Sequence, residues 1–399
     1  MPHAQHSAGR WFARLVLLIA MSLIAGGAVA ATCVAANWPL WNDFKQHFIK
    51  PDGRVVDAST PQVHSSSEGQ SYGMFFALIA NDQPTFDRLW RWSVNNLAGG
   101  DVGAQLPGWL WGRAEDGAWR LLDPNAASDA DLWFVYDLLE AGRLWGRPDY
   151  VRDAMRLLAL IEQKEIVSLP GLGAMLLPGP IGFEQPNKVW LLNPSYLPIP
   201  LLRRLTSASP TGPWASIAAN TARMITSVTP KGLIADWVGY QVTSDTAGRF
   251  IIDPVKGDRG SYDAIRVYLW AGMTPNADPL ATKVRNALTG MNSHIASFGY
   301  PPESVVTLTG ATAGTGPFGF SAALVPYLRA IGKTALAEEQ LQRARRLQAE
   351  SLLAQNLAQR QPPYFDYVLS LFGVGWADGF YSFKPNGSLQ IRWQNPCNP

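Results

Sequence analysis

About a dozen stretches of this chain carry apolar residues at helical spacing, and Gly/Pro-rich loops separate them. They run Trp38 to Ile49, Gly69 to Ala80, Pro84 to Leu97, Asp129 to Trp145, Asp149 to Ile166 and Pro194 to Leu205. The series continues with Pro213 to Val228, Tyr262 to Ala271, Pro279 to Ile295, Phe318 to Ile331, Ala335 to Gln355 and Tyr364 to Leu371. Strand-like patches are short: Arg54 to Val56, Trp119 to Leu122 and Phe250 to Ile252. Strands alternating with helices would predict a parallel sheet, and that alternation is absent. So many helices in one domain fit two concentric rings of six, a double-helical toroid whose inner helix ends and loops form an open groove. A stacked helical array satisfies the same period.

The first 30 residues read as a secretory leader, with Arg10 and Arg14, an apolar run from Leu15 to Ala25, and a small-residue cleavage site at Ala28-Val29-Ala30. The apolar run is too short for a comfortable membrane span. Residues 31–399 are expected to form a single domain, secreted or periplasmic, since no composition shift marks a boundary. Removing the two leader arginines takes Lys+Arg from 33 to 31, against 31 Asp+Glu. That balance gives no reason to expect a polyanionic partner such as nucleic acid. The two cysteines, Cys33 and Cys397, stand at either end of the mature chain. In an oxidising compartment they could pair, or they are two unrelated thiols. His47, His64 and His294 are scattered, with no two-histidine helical motif, so no catalytic metal is expected.

Three stretches set an acid beside small residues at a helix start. Ser65 to Met74 contains Glu68 between hydroxyls and glycines, and Ser before the apolar run reads as an N-cap. Asn125 to Trp133 contains Asp129 and Asp131, which point to different helix faces. Gly260 to Trp270 contains Asp263 and Arg266, three apart and therefore neighbours on one face. Each has an ordinary reading: an acid that complements the helix dipole, a cap, a surface ion pair. Taken together they suggest loops converging on one rim. Two carboxylates flanking a sugar bond are the usual glycosidase arrangement, one giving a proton and the other activating water or attacking. The proton donor needs a raised pKa. A helix N-terminus works against that for Glu68.

Ser67 to Met74, Ala127 to Asp131 and Ser261 to Arg266 resemble endoglucanases of glycoside hydrolase family 8, and the resemblance runs through nearly the whole mature chain. Pro170 to Gly179, Asn193 to Leu197 and Gly319 to Ala323 look like the branch encoded beside bacterial cellulose synthase. The resemblance implies an (α/α)6 barrel with short β segments, cleavage of β-1,4-glucan within the chain, inversion at the anomeric carbon and no cofactor. It implies Glu68 as general acid, Asp263 as base with Tyr262 and Arg266 in support, and Asp129 gripping the central sugar. The base could instead be Asp129. After Asp131 the sequence departs from the family pattern, with Phe134, Val135 and Asp137 at the specified positions.

Sixteen tryptophans, 16 phenylalanines and 12 tyrosines supply sugar-stacking surface, a large aromatic core, or both. Trp109 and Trp111, in the glycine-flanked loop Pro107 to Gly112, are the first candidates for a sugar platform. In an extended segment both would face one side. Tyr72 and Tyr196 are further candidates for substrate contact. Gly314 to Gly319 fits G-x-G-x-x-G, but Pro317 and the helical surroundings point to a helix-entry loop rather than a dinucleotide site. The expected activity is an endo-β-1,4-glucanase linked to cellulose synthesis or export. The alternatives are a related hydrolase of chitosan, lichenan or xylan, and a glucan-binding protein without catalysis.

Overall fold

The computed structural model describes residues 37–358 and 360–394. The leader, Cys33 and Cys397 lie outside the described residues. Thirteen α-helices among the described residues build an (α/α)6 barrel. The inner ring is α2 (Ser67–Ile79), α4 (Ser128–Trp145), α6 (Ile199–Ala208), α8 (Ala264–Met273), α11 (Phe318–Ala330) and α13 (Tyr364–Ala377). The outer ring is α1 (Pro39–Phe48), α3 (Gln83–Leu97), α5 (Pro148–Lys164), α7 (Trp214–Ser227), the broken pair α9 (Ala281–Ala287) and α10 (Gly290–Phe298), and α12 (Thr334–Leu357).

The two rings differ as their burial requires. The inner helices α2, α8 and α11 are apolar nearly all round and almost wholly buried. Outer helices bury one stripe: α5 turns Tyr150, Ala154, Leu157, Leu158 and Ile161 inward and leaves its charges in water. Aromatic rings fill the barrel axis. Phe372 of α13 packs on Tyr72 (4.9 Å), Phe75 (5.4 Å), Trp133 (5.4 Å) and Trp270 (5.1 Å), joining four inner helices. Much of the aromatic content is therefore core.

Two expected helices are split, each for a local reason. Pro194 to Leu205 becomes a 3-10 turn (Pro194–Tyr196) and then α6, because Leu197 precedes a proline and is driven from the helical region. Pro279 to Ile295 breaks after Leu288. There Gly290 packs against the backbone of Lys231 and Gly232, and the Tyr327 hydroxyl donates to the freed Leu288 carbonyl at 2.9 Å. The unusual Phe134, Val135 and Asp137 leave α4 regular. Phe134 packs on Trp90 at 5.6 Å, while burial, then the neighbouring Glu140, holds the Asp137 carboxyl well above its usual range.

Strands are more numerous than the sequence suggests, and every pairing is antiparallel. The hairpin Gly108–Arg113 and Trp119–Ala126 places its first strand against Ser65–Ser66. Ser65–Ser66 runs directly into α2, and Ala126 is two residues from α4. One small sheet thus fixes the starts of two inner helices. A four-stranded meander is built from Glu184–Gln185, Val189–Leu192, Val238–Ser244 and Ala247–Ile252.

Close helix approach depends on missing side chains. A Cβ on Gly373 would fall 2.0 Å from the Ala322 carbonyl oxygen of α11, and this is backbone that cannot swing away. Gly373→Ala should therefore destabilise the fold by about 1–3 kcal/mol or more, read as a lowered urea midpoint with unchanged slope. An unaltered midpoint would mean that α11 and α13 are free to separate.

Candidate active site

The first turn of α2 is capped from outside the helix, where the Ser66 hydroxyl accepts the Gly69 N–H at 3.0 Å. This leaves the Glu68 side chain free. The start of α8 is capped by Asp236, whose Oδ1 accepts the N–H groups of Ser261 (2.7 Å) and Ala264 (2.8 Å). Asp263 therefore has no capping task, and its carboxylate turns to Arg266. Asn193, just before α6, donates to Asp263 Oδ2 at 3.1 Å.

Arg266 joins the three stretches. Its Nη1 donates to Glu68 Oε2 (2.5 Å), to the Tyr72 hydroxyl (3.0 Å) and to Asp129 Oδ2 (3.2 Å). Its Nη2 donates to Asp263 Oδ1 at 2.6 Å. Residues 68, 129 and 263 thus meet on one guanidinium, with Asp263 on a different nitrogen from the other two. The side chains of Glu68 and Asp263 are 24% and 27% exposed, whereas those of Asp129 and Arg266 are 3% and 4% exposed. Two carboxylates therefore reach solvent, and the third lies beneath them.

Burial, then the negative charge of Glu68, raises Asp129 to about 7 against the opposing pull of Arg266. Asp129 Oδ1 also accepts the Ala130 N–H at 2.8 Å. Burial alone would lower Arg266, but Tyr72 and then Glu68, Asp263 and Asp129 outweigh it and hold the guanidinium well above its ordinary value.

The other expected contacts fall at different depths. Tyr72 is buried beneath Arg266, between the carboxylates and the aromatic core. Tyr196 lies over the Arg266 guanidinium at 5.8 Å and tilts against Trp237, which stacks on Phe183. Tyr262 is 44% exposed, packs on Phe320 and Phe365, and donates to Glu303 Oε1 at 3.0 Å. Trp109 is 38% exposed. Trp111 stacks on Trp119 at 5.3 Å and meets Trp92 edge-on, with Arg54 over its ring. Two pairing irregularities fall between Gly108 and Trp111, where the strand departs from regular alternation.

Asn193 and Asp236 are the supporting residues that residue-by-residue reading passed over. Asn193 opens the Asn193-Pro194-Ser195 segment, whose backbone turn its own Oδ1 caps at Ser195. Asp236 sits in a loop with no local pattern, and only the fold brings it to α8.

Carboxylates set at the N-terminal ends of inner helices in an (α/α)6 barrel define a glycoside hydrolase class of site. The chain belongs to Glycosyl hydrolases family 8, which matches residues 14–379. It is 47% identical over 387 residues to an endoglucanase of Pseudomonas fluorescens (strain SBW25), covering 94% of this chain and 95% of that one. It is also 47% identical over 376 residues to an endoglucanase of Xanthomonas axonopodis pv. citri (strain 306), covering 94% of each. The crystal structure of endo-1,4-D-glucanase from Vibrio fischeri ES114 superposes with a TM-score of 0.82 at 41% identity, over 90% of this chain and 100% of that chain.

Removing the shared cation should expose the carboxylates' mutual repulsion. Arg266→Met is expected to cost about 3–5 kcal/mol at pH 8, above the value of about 7 to which Asp129 is raised. Arg266 pulls Asp129 down, so without it Asp129 rises further, and the stabilisation linked to a raised acid is retained at low pH and lost as pH rises. The loss should therefore shrink at pH 5. Urea midpoints at both pH values check this, and an equal loss at each would contradict it.

Proposed function

We propose that the protein is an endo-β-1,4-glucanase that cleaves internal bonds of cellulose by inverting acid/base catalysis. The observation that carries this reading is the single guanidinium shared by Glu68, Asp129 and Asp263, with Glu68 and Asp263 more open to solvent than Asp129. Glu68 gives a proton to the leaving glycosidic oxygen. Asp263, held on both oxygens by Arg266 and Asn193, takes a proton from the attacking water. Asp129 grips the central sugar from below. Inversion calls for an acid–base separation of roughly 6.5–9.5 Å so that water fits between. Placing the two on different Nη atoms is compatible with that division of roles.

Trp109, Tyr196 and Tyr262 supply aromatic and hydroxyl contacts to the glucan, while Trp111 packs against Trp92 and Trp119. Tyr72 and Arg266 set the carboxylates for it. The leader with Arg10 and Arg14 supports export and a periplasmic or secreted mature domain of residues 31–399. The stretches Pro170 to Gly179 and Gly319 to Ala323 support a link to the cellulose-synthesising machinery, with glucan trimmed as it is made or exported.

Glu68→Gln should lower the release of reducing ends from carboxymethylcellulose by about 10²–10⁴-fold while leaving glucan binding in place. Proton NMR of fresh wild-type product should show the α-anomer first. Glucan binding with no release of reducing ends by either wild type or Glu68→Gln would point to a binding protein, and β-anomer appearing first would overturn inversion. Preference for chitosan, lichenan or xylan would move the substrate and leave the acids in place.

A further inference from the structure

The first turn of α4 carries a second acid that the mechanism above does not use. Asp131 is fully buried, as is Glu165 at the C-terminal end of α5. The two carboxyl groups lie within hydrogen-bonding reach of each other. Among the described residues, no N–H or O–H reaches any of their four oxygens. Two buried carboxylates without a donor cannot both be ionised. The arrangement closes when one acid keeps its proton and donates it to the other.

Burial raises both groups well above the ordinary carboxylate range, and the charge of Asp129 raises both further. Because all four oxygens lack another donor among the described residues, the pair is satisfied when one proton is shared between the two acids. The charged and titratable groups facing the pair are Asp129 on α4 and the two acids themselves.

The same residues are joined through the backbone. The Leu177 N–H donates to the Glu165 carbonyl at 2.9 Å, and the Ser128 N–H donates to the Pro178 carbonyl at 3.0 Å. The next residue, Gly179, lies so close to Ala126 that an added Cβ would be 2.3 Å from its carbonyl oxygen. The segment from Glu165 through Gly179 therefore grips the chain on both sides of Ala127. Asp129 lies one residue beyond Ser128. Stability alone gives no reason to place two acids here, because well-packed apolar residues of similar volume serve a core as well or better.

We propose that Asp131 and Glu165 are a proton-sharing pair that pins the first turn of α4 to the end of α5 and so aims Asp129 at Arg266. They are positioning residues that do not touch the glucan, and this role rests on the glycosidase reading above. A side chain displaced by about 1 Å can cost 10²-fold in rate, which is the scale at stake.

Two variants of the full chain test the pair. Glu165→Gln keeps a donor for Asp131, whereas Glu165→Leu fills the space and leaves Asp131 without one. Glu165→Gln is expected to retain the wild-type kcat on carboxymethylcellulose. Glu165→Leu is expected to lose about 10²-fold in kcat with little change in KM and an unchanged near-ultraviolet dichroism spectrum. Wild-type turnover by folded Glu165→Leu, or a loss as deep in Glu165→Gln, would overturn the proposal.

Thermal melting between pH 5 and 9 gives a second readout that needs no substrate and does not depend on Glu165→Leu folding. A raised acid stabilises at low pH and loses that contribution as pH rises. The wild type should therefore lose stability relative to Glu165→Gln on alkalinisation, and parallel curves would contradict a proton held between the two acids. A wild type inactive on β-1,4-glucan would sink the substrate reading alone, and the melting comparison would still judge the pair.

Discussion

A single buried cation holds acids from three separate parts of the chain. Arg266 has three carboxylates and a tyrosine hydroxyl on two nitrogens, and nearly all of its side chain is out of water. Three carboxylates around one guanidinium would leave an excess of negative charge. Part of that excess is relieved because Asp129, buried beside Glu68, is raised to about 7. What remains suits the chemistry, since glycoside cleavage develops positive charge on the sugar and negative groups beside it lower the barrier.

The barrel makes this concentration of charge tolerable. Glu68 and Asp129 lie in the first turns of α2 and α4, and Asp263 immediately precedes α8. Each acid therefore sits near the positive end of a helix dipole. Phe320 near the start of α11 and Phe365 near the start of α13 flank Tyr262 at the same rim. Below, the aromatic core around Phe372 leaves Tyr72 little freedom, and Tyr72 in turn fixes Arg266. Rigidity thus passes from ring packing to the guanidinium and from there to the acids. The supporting groups Asn193 and Asp236 serve the same end, one by holding Asp263 and the other by sparing it from capping.

Local patterns in the chain revealed what is local in the structure. The N-cap before Glu68 and the three-residue spacing of Asp263 and Arg266 appear as such, because both depend on neighbours in sequence. The contact of Arg266 with Glu68 spans 198 residues and has no local signature; the likeness of the three acidic helix starts suggested a shared rim, and the family resemblance supplied their roles. Helix breaks divide in the same way. Pro198 announces the gap before α6, but the gap between α9 and α10 comes from the backbone approach of Lys231 and Gly232. The pairing irregularities between Gly108 and Trp111 carry no sequence mark, so regular alternation there could not be checked from spacing. Aromatic composition could not separate sugar contacts from core, and the structure assigns many rings to the core.

The claim that Arg266 divides the acids into two open reactants and one buried support is tested most directly by a crystal structure of Glu68→Gln with a bound β-1,4-glucan oligosaccharide. The account predicts residue 68 at the glycosidic oxygen, a water held by Asp263 on the opposite side of the anomeric carbon, and Asp129 on a ring hydroxyl. A water held by Asp129, with Asp263 turned away from the sugar, would contradict it.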